Sequence, residues 1–139
     1  MNNYLFSDIS LGMKYSFKVT LSEEKMSKFL DITGDVNPMH IDSSFAISNG
    51  MKDKVVYGML SSSFYSTLVG VYLPGKYALL HEISNLQFAK PVFINDDLTI
   101  LGEVISINNT FRQVELKAQI TNQNLKKISR AKIKVGILK

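Results

Sequence analysis

The chain has 139 residues, 45% hydrophobic and 20% charged, with no cysteine, no tryptophan and a mild net charge of +4. That is the size of one domain with one core, spanning 1–139. It excludes a disordered or fibrous chain, a disulfide framework, a thiolate nucleophile and a cysteine-ligated zinc.

The first residues, Met1 to Asp8, have neither a basic start nor a long apolar stretch, so they do not read as a signal peptide. No run reaches the roughly 18 apolar residues of a membrane span. A soluble cytoplasmic protein is expected, since a chain without cysteine suits a reducing compartment. Met13, Tyr15, Phe17, Val19 and Leu21 alternate with polar residues, the period of a strand with one buried face. Ser22 offers an N-cap, Glu23 and Glu24 fill the first turn, and Met26, Phe29 and Leu30 make a helical stripe that Gly34 ends.

Residues Asp35 to Ile41 read as a punctuated loop around Asn37-Pro38, followed by a short helix from Ser43 to Ser48 capped by Asp42. From Gly58 to Leu73 apolar or small residues occupy nearly every face, so a helix there belongs in the interior, and Pro74-Gly75 ends it. The rest reads as strands: Tyr77 to His81, Ile83 to Phe88, Leu98 to Ile107, then Val114 to Thr121 and Arg130 to Ile137. A twisted antiparallel sheet wrapped around one central helix buries both apolar surfaces. That is an α+β hotdog fold, although periodicity alone leaves other α+β sheets open.

Lys126, Lys127, Arg130, Lys132 and Lys134 suit either phosphate groups or a solvated strand face that discourages aggregation. No aromatic-interleaved basic motif accompanies them, so no nucleic-acid partner is expected.

The strongest local signal is Gly34-Asp35-Val36-Asn37-Pro38-Met39-His40-Ile41-Asp42. A carboxylate and an imidazole five residues apart converge only if the backbone folds back, and Pro38 restricts the alternatives. Such a pair grips one water, with the imidazole able to give or take a proton near neutral pH. The plainer reading is that Asp35 closes a helix end and His40 is a hydrogen-bonded, half-buried side chain. Asn37 reads as holding its own turn, Asp42 as a helix cap, and His81 as a core or surface histidine.

Asp35, Asn37, Pro38 and His40 form the pattern Asp-x-Asn-Pro-x-His, which resembles the hydratase-2 motif of the MaoC-like (R)-specific enoyl-CoA hydratases and dehydratases. The likeness continues in order through Val56-Tyr57-Gly58-Met59-Leu60, Leu73-Pro74-Gly75 and Phe88-Ala89-Lys90-Pro91-Val92-Phe93. It implies that Asp35 and His40 are the catalytic pair, holding the water that adds to or leaves the β-carbon of an acyl thioester. It implies Gly58 as oxyanion donor at the start of the central helix, where the helix dipole helps; close packing is the other reading of that glycine. Ser66 falls where the family carries a serine facing the acyl pocket, whereas Ser61, Ser62 and Ser63 read as back-bonded hydroxyls. Tyr57 stands where the family usually has histidine, which bears on the acyl pocket. Asn95-Asp96 replaces the usual Gly-Asp.

The resemblance implies a hydro-lyase with no metal and no cofactor beyond the coenzyme A or acyl-carrier pantetheine of its substrate. Its partners would be an acyl-CoA or acyl-carrier-protein thioester and a second copy in a homodimer, which would also protect an edge strand. A hotdog thioesterase and a MaoC-like accessory module with an altered substrate are the competing readings.

Overall fold

The computed structural model describes residues 1–139. A short 3-10 turn (Phe6–Asp8) leads into β1 (Lys14–Thr20), followed by α1 (Glu23–Thr33), α2 (Pro38–Ile41), α3 (Ser43–Ser48) and α4 (Gly58–Thr67). A π-helical turn (Leu68–Tyr72) extends α4, and β2 (Ala78–Phe88), β3 (Asp97–Asn108), β4 (Gln113–Thr121) and β5 (Lys127–Ile137) complete the chain. The strands form one antiparallel sheet in the order β1-β3-β4-β5-β2, with β1 and β2 at its edges. The sheet and central helix are the hotdog arrangement expected from the alternating strands.

Alternation places Val114, Leu116, Ala118 and Ile120 of β4, and Ala131, Ile133, Val135 and Ile137 of β5, in the core against α4. At Gly102 on β3 a Cβ would come within 2.7 Å of Leu68 Cδ2, so the missing side chain lets the helix approach the sheet closely. Tyr65 is fully buried, and its hydroxyl pairs with Ser129 Oγ at 2.7 Å, tying α4 to β5. Burial pushes that phenol up to about 12, so it remains protonated at neutral pH. Tyr72 stacks on Tyr15 and tilts against Phe17, each at 4.7 Å between ring centroids.

Three elements depart from the expectations. The two strands expected at Tyr77 to His81 and Ile83 to Phe88 are one strand, β2. Its pairing with β5 continues through two register irregularities, where side-chain alternation fails. The segment expected as a loop from Asp35 to Ile41 contains the helical turn α2: Pro38 occupies its first position, where a missing N–H costs nothing, and Asn37 caps it. The helix expected to run to Leu73 changes to π geometry after Thr67, closing with Leu73 N–H to Leu68 C=O. At the entry to β3, Asn95 adopts φ 70°, a conformation asparagine tolerates well, so it fills the turn in place of glycine.

Candidate active site

The chain turns sharply after α1. Gly34 takes the left-handed conformation, with its N–H on the Leu30 carbonyl, and Asp35 follows directly. Two successive side chains then shape the turn: Asp35 Oδ1 accepts from the Asn37 N–H at 3.1 Å, and Asn37 Oδ1 accepts from the Met39 N–H at 2.9 Å. His40 follows within α2, its own N–H on the Asn37 carbonyl. The fold-back that spacing alone left open is built from these local bonds, with Asn37 and Pro38 shaping it.

His40 is half-buried, and its Nδ1 lies 2.7 Å from the Val55 carbonyl oxygen. A carbonyl only accepts, so Nδ1 carries a proton, and whenever the ring is neutral its lone pair lies at Nε2. Val55 also donates its N–H to the Met39 carbonyl, which locks the segment before α4 against α2. Sequence reasoning missed this contact because a backbone acceptor has no residue-type signature.

Tyr57 is buried and precedes α4. Its hydroxyl donates to the Asp35 backbone carbonyl at 2.8 Å, and its ring lies 4.2 Å from the His40 imidazole and 5.0 Å from Phe29. Burial first, and then the nearby Asp35 carboxylate, raise its hydroxyl above the ordinary tyrosine value, so at neutral pH it stays protonated and donates a hydrogen bond. One side chain thus joins the Asp35 turn, the His40 ring and the start of α4.

Asp35, His40, Tyr57 and Gly58 line one cavity of about 300 Å³, completed by Phe29, Thr33, Met59 and Phe88. His40, Gly58 and Phe88 also line a second hollow of about 250 Å³ that reaches Ala89, Lys90 and Ile128. No side chain caps the amino end of α4, so its first amides and the positive end of its dipole are available where the cavity begins. Gly58 is also tightly packed, since a Cβ there would lie 3.0 Å from the Phe88 ring. Both readings of that glycine therefore have a physical basis.

The remaining candidates lie elsewhere. Ser66 is exposed on α4 and lines neither cavity. Ser61 and Ser63 bond back to helix carbonyls, whereas the Ser62 hydroxyl is buried with no partner. Asp42 caps α3 through the Phe45 N–H. His81 is exposed over Gly136, with Nδ1 2.9 Å from the Gln113 amide. Phe29, Thr33, Met59 and Phe88 were not singled out as site residues; Met59 and Phe88 had a signal, as members of the Val56–Leu60 and Phe-x-x-Pro-Val segments.

Residues 8–125 match the family pattern described as the MaoC like domain. The chain is 34% identical over 96 residues to the (R)-specific enoyl-CoA hydratase of Rhodospirillum rubrum, covering 69% of this chain and 66% of that protein. It is 30% identical over 115 residues to the (R)-specific enoyl-CoA hydratase of Aeromonas caviae, covering 83% and 85% respectively. Its structure resembles the unliganded (R)-hydratase of Pseudomonas aeruginosa with a TM-score of 0.90 at 25% identity, covering 97% of this chain and 86% of that one. The Aeromonas caviae (R)-hydratase structure gives a TM-score of 0.88 at 28% identity, over 93% and 97%. A match that runs through both the Asp35 turn and the strands enclosing α4 leaves one assignment: this chain belongs to the MaoC-like hydratase and dehydratase family and is a hydro-lyase.

Proposed function

We propose that the chain adds water to, or removes it from, the α,β double bond of an acyl thioester carried by coenzyme A or an acyl-carrier protein, with Asp35 and His40 handling the water. The observation that carries this reading is the shared cavity: a carboxylate, an imidazole with an open lone pair and an uncapped helix amino end border the same space. In hydration, His40 Nε2 takes a proton from a water that the Asp35 carboxylate orients, and the water oxygen bonds to the β-carbon. The electron pair of the double bond shifts toward the thioester oxygen, where the Gly58 N–H and the helix dipole stabilise the enolate-like charge. The imidazolium returns its proton to the α-carbon. Because proton and oxygen come from one side, addition is syn, and dehydration is the reverse.

Incubation with crotonyl-CoA tests this reading. Loss of the enoyl absorbance without free thiol is the expected result; release of free thiol would replace hydration with thioester hydrolysis.

Tyr57 holds the turn rather than exchanging protons, because its hydroxyl is engaged by the Asp35 backbone. Tyr57→Phe should keep the ring contacts, lower stability by about 1 kcal/mol and slow turnover by roughly tenfold as the Asp35 turn loosens. Urea melts and steady-state rates measure the two effects; an unchanged kcat would show the tether to be irrelevant to chemistry.

A homodimer joined along β2 suits the surface. That edge strand exposes Leu79, Leu80 and Ile83, and pairing with a second copy would cover both its apolar side chains and its open backbone groups. No helix is long and apolar enough to cross a membrane, and a chain without cysteine suits the cytoplasm.

A further inference from the structure

The solvent face of the sheet carries a hollow of about 330 Å³ beside the edge strand β2, separate from the cavities around His40. Its origin is a bulge. Ser84 pairs with Lys132 and Gln87 with Arg130, so β2 spends one residue more than β5 between the two pairs, and Asn85 takes φ 52°. A bulge bends its strand away from the ladder, which opens space at the sheet surface.

Three cations line that space, Lys117, Arg130 and Lys132, and no carboxylate does. Lys117 and Lys132 are directly opposite on β4 and β5, an arrangement in which like charges repel. Arg130 donates from both Nε and Nη2 to Gln87 Oε1, at 3.0 and 2.8 Å. That neutral acceptor orients the guanidinium without neutralising it. Of the acidic neighbours, Glu115 meets Lys132 only at 3.7 Å, and Glu103, opposite Lys117 on β3, pairs with Lys14 at 3.8 Å; neither lines the hollow. Lys134, by contrast, is held by Glu82 at 3.2 Å across β5 and β2. Charges gathered with so little compensation suit an anion with several oxygens, and phosphate has the matching chemistry.

The hollow and the proposed reaction site draw on neighbouring residues of β2 and β5. Gln87 directly precedes Phe88, which borders both cavities at His40, and the second of these continues to Lys90 and Ile128 at the strand ends. Arg130 is two residues beyond Ile128 on β5, about 7 Å along an extended strand.

Building on the thioester reading above, we propose that Lys117, Arg130 and Lys132 form a subsite for the phosphate at the far end of the substrate's pantetheine arm, which leaves the reaction cavity past Phe88 and Lys90. The phosphate belongs either to the nucleotide of coenzyme A or to the phosphopantetheine of a carrier protein.

Calorimetric titration of the full chain with adenosine 3′,5′-bisphosphate and, separately, with phosphopantetheine distinguishes the two sources. Binding is expected to weaken with salt and to fall by about tenfold or more in the Lys117→Ala/Lys132→Ala variant, while Lys28→Ala, far along the sequence on α1, binds as the wild type does. Bisphosphate binding identifies the nucleotide, and phosphopantetheine binding alone identifies the carrier protein. Removing a repelling pair should not unfold the sheet, which a thermal melt checks. Absence of binding by either probe, or equal binding in the double variant, overturns the subsite. Kinetics separate this from the reaction itself. The double variant should raise KM for crotonyl-CoA about tenfold at constant kcat and leave crotonyl-N-acetylcysteamine, which has no phosphate, unaffected. If the wild type consumes neither thioester, the reaction assignment fails, while the titration still decides the anion site.

Discussion

Asp35→Asn and His40→Ala should each reduce turnover of an enoyl thioester by about three orders of magnitude. The asparagine substitution is the sharper of the two. Its side-chain amide would still offer an oxygen to the Asn37 N–H, so the turn that presents His40 should survive, while the negative charge proposed to orient water is gone. His40→Ala removes the proposed proton acceptor and vacates the Val55 carbonyl, a bond worth about 1 kcal/mol. On the proposal that the two groups act on one water, the double variant should be little slower than either single variant. Steady-state absorbance assays with crotonyl-CoA, beside thermal melts, make the measurement. A folded single variant with near-wild-type turnover would remove that residue from the chemistry, and strictly multiplicative losses would show that the two do not share a water.

The largest expected loss of stability lies far from that pair. Gly75 has φ 93°, and a Cβ there would overlap the Asn2 carbonyl oxygen. Asn2 fastens the amino terminus to the end of the π turn: its N–H donates to Val71, its side-chain amide to Tyr72, and its carbonyl accepts from Lys76. Gly75→Ala therefore combines backbone strain with the displacement of those bonds, for about 3 kcal/mol or more. In a chain of this length that lowers Tm by roughly 10 °C. Hydrogen exchange should show the first residues losing protection together, and an unchanged melt would mean that the terminus yields without cost.

Much of the fold is legible because β1, β4 and β5 each turn one face to the core, and alternation records that directly. The record fails on β2. Around His81 and Asn85 its register slips, so successive exposed residues break the pattern even though pairing to β5 goes on. Pro38 misled for a different reason: proline stops a helix from within but starts one comfortably, and only the bonds made by Asn37 distinguish the cases. At the site, Asp35 and His40 are readable as residue types at a spacing. The Val55 carbonyl that sets the imidazole's tautomer, and the Tyr57 hydroxyl's hold on the Asp35 backbone, depend on chain reversals that no local pattern encodes. Ser66 illustrates the converse: matching a family position does not fix which face a side chain occupies in the isolated chain, and here that face is exposed.

The two bonds between Val55 and the Met39–His40 pair have a topological effect. They close a neck, and everything between residues 42 and 54, including α3, is an excursion that leaves and re-enters through it. The orientation of the imidazole is fixed at the neck, so the length of that excursion is decoupled from how the ring is held. Surface diversity or an affinity handle can be accommodated there without disturbing the turn that holds His40.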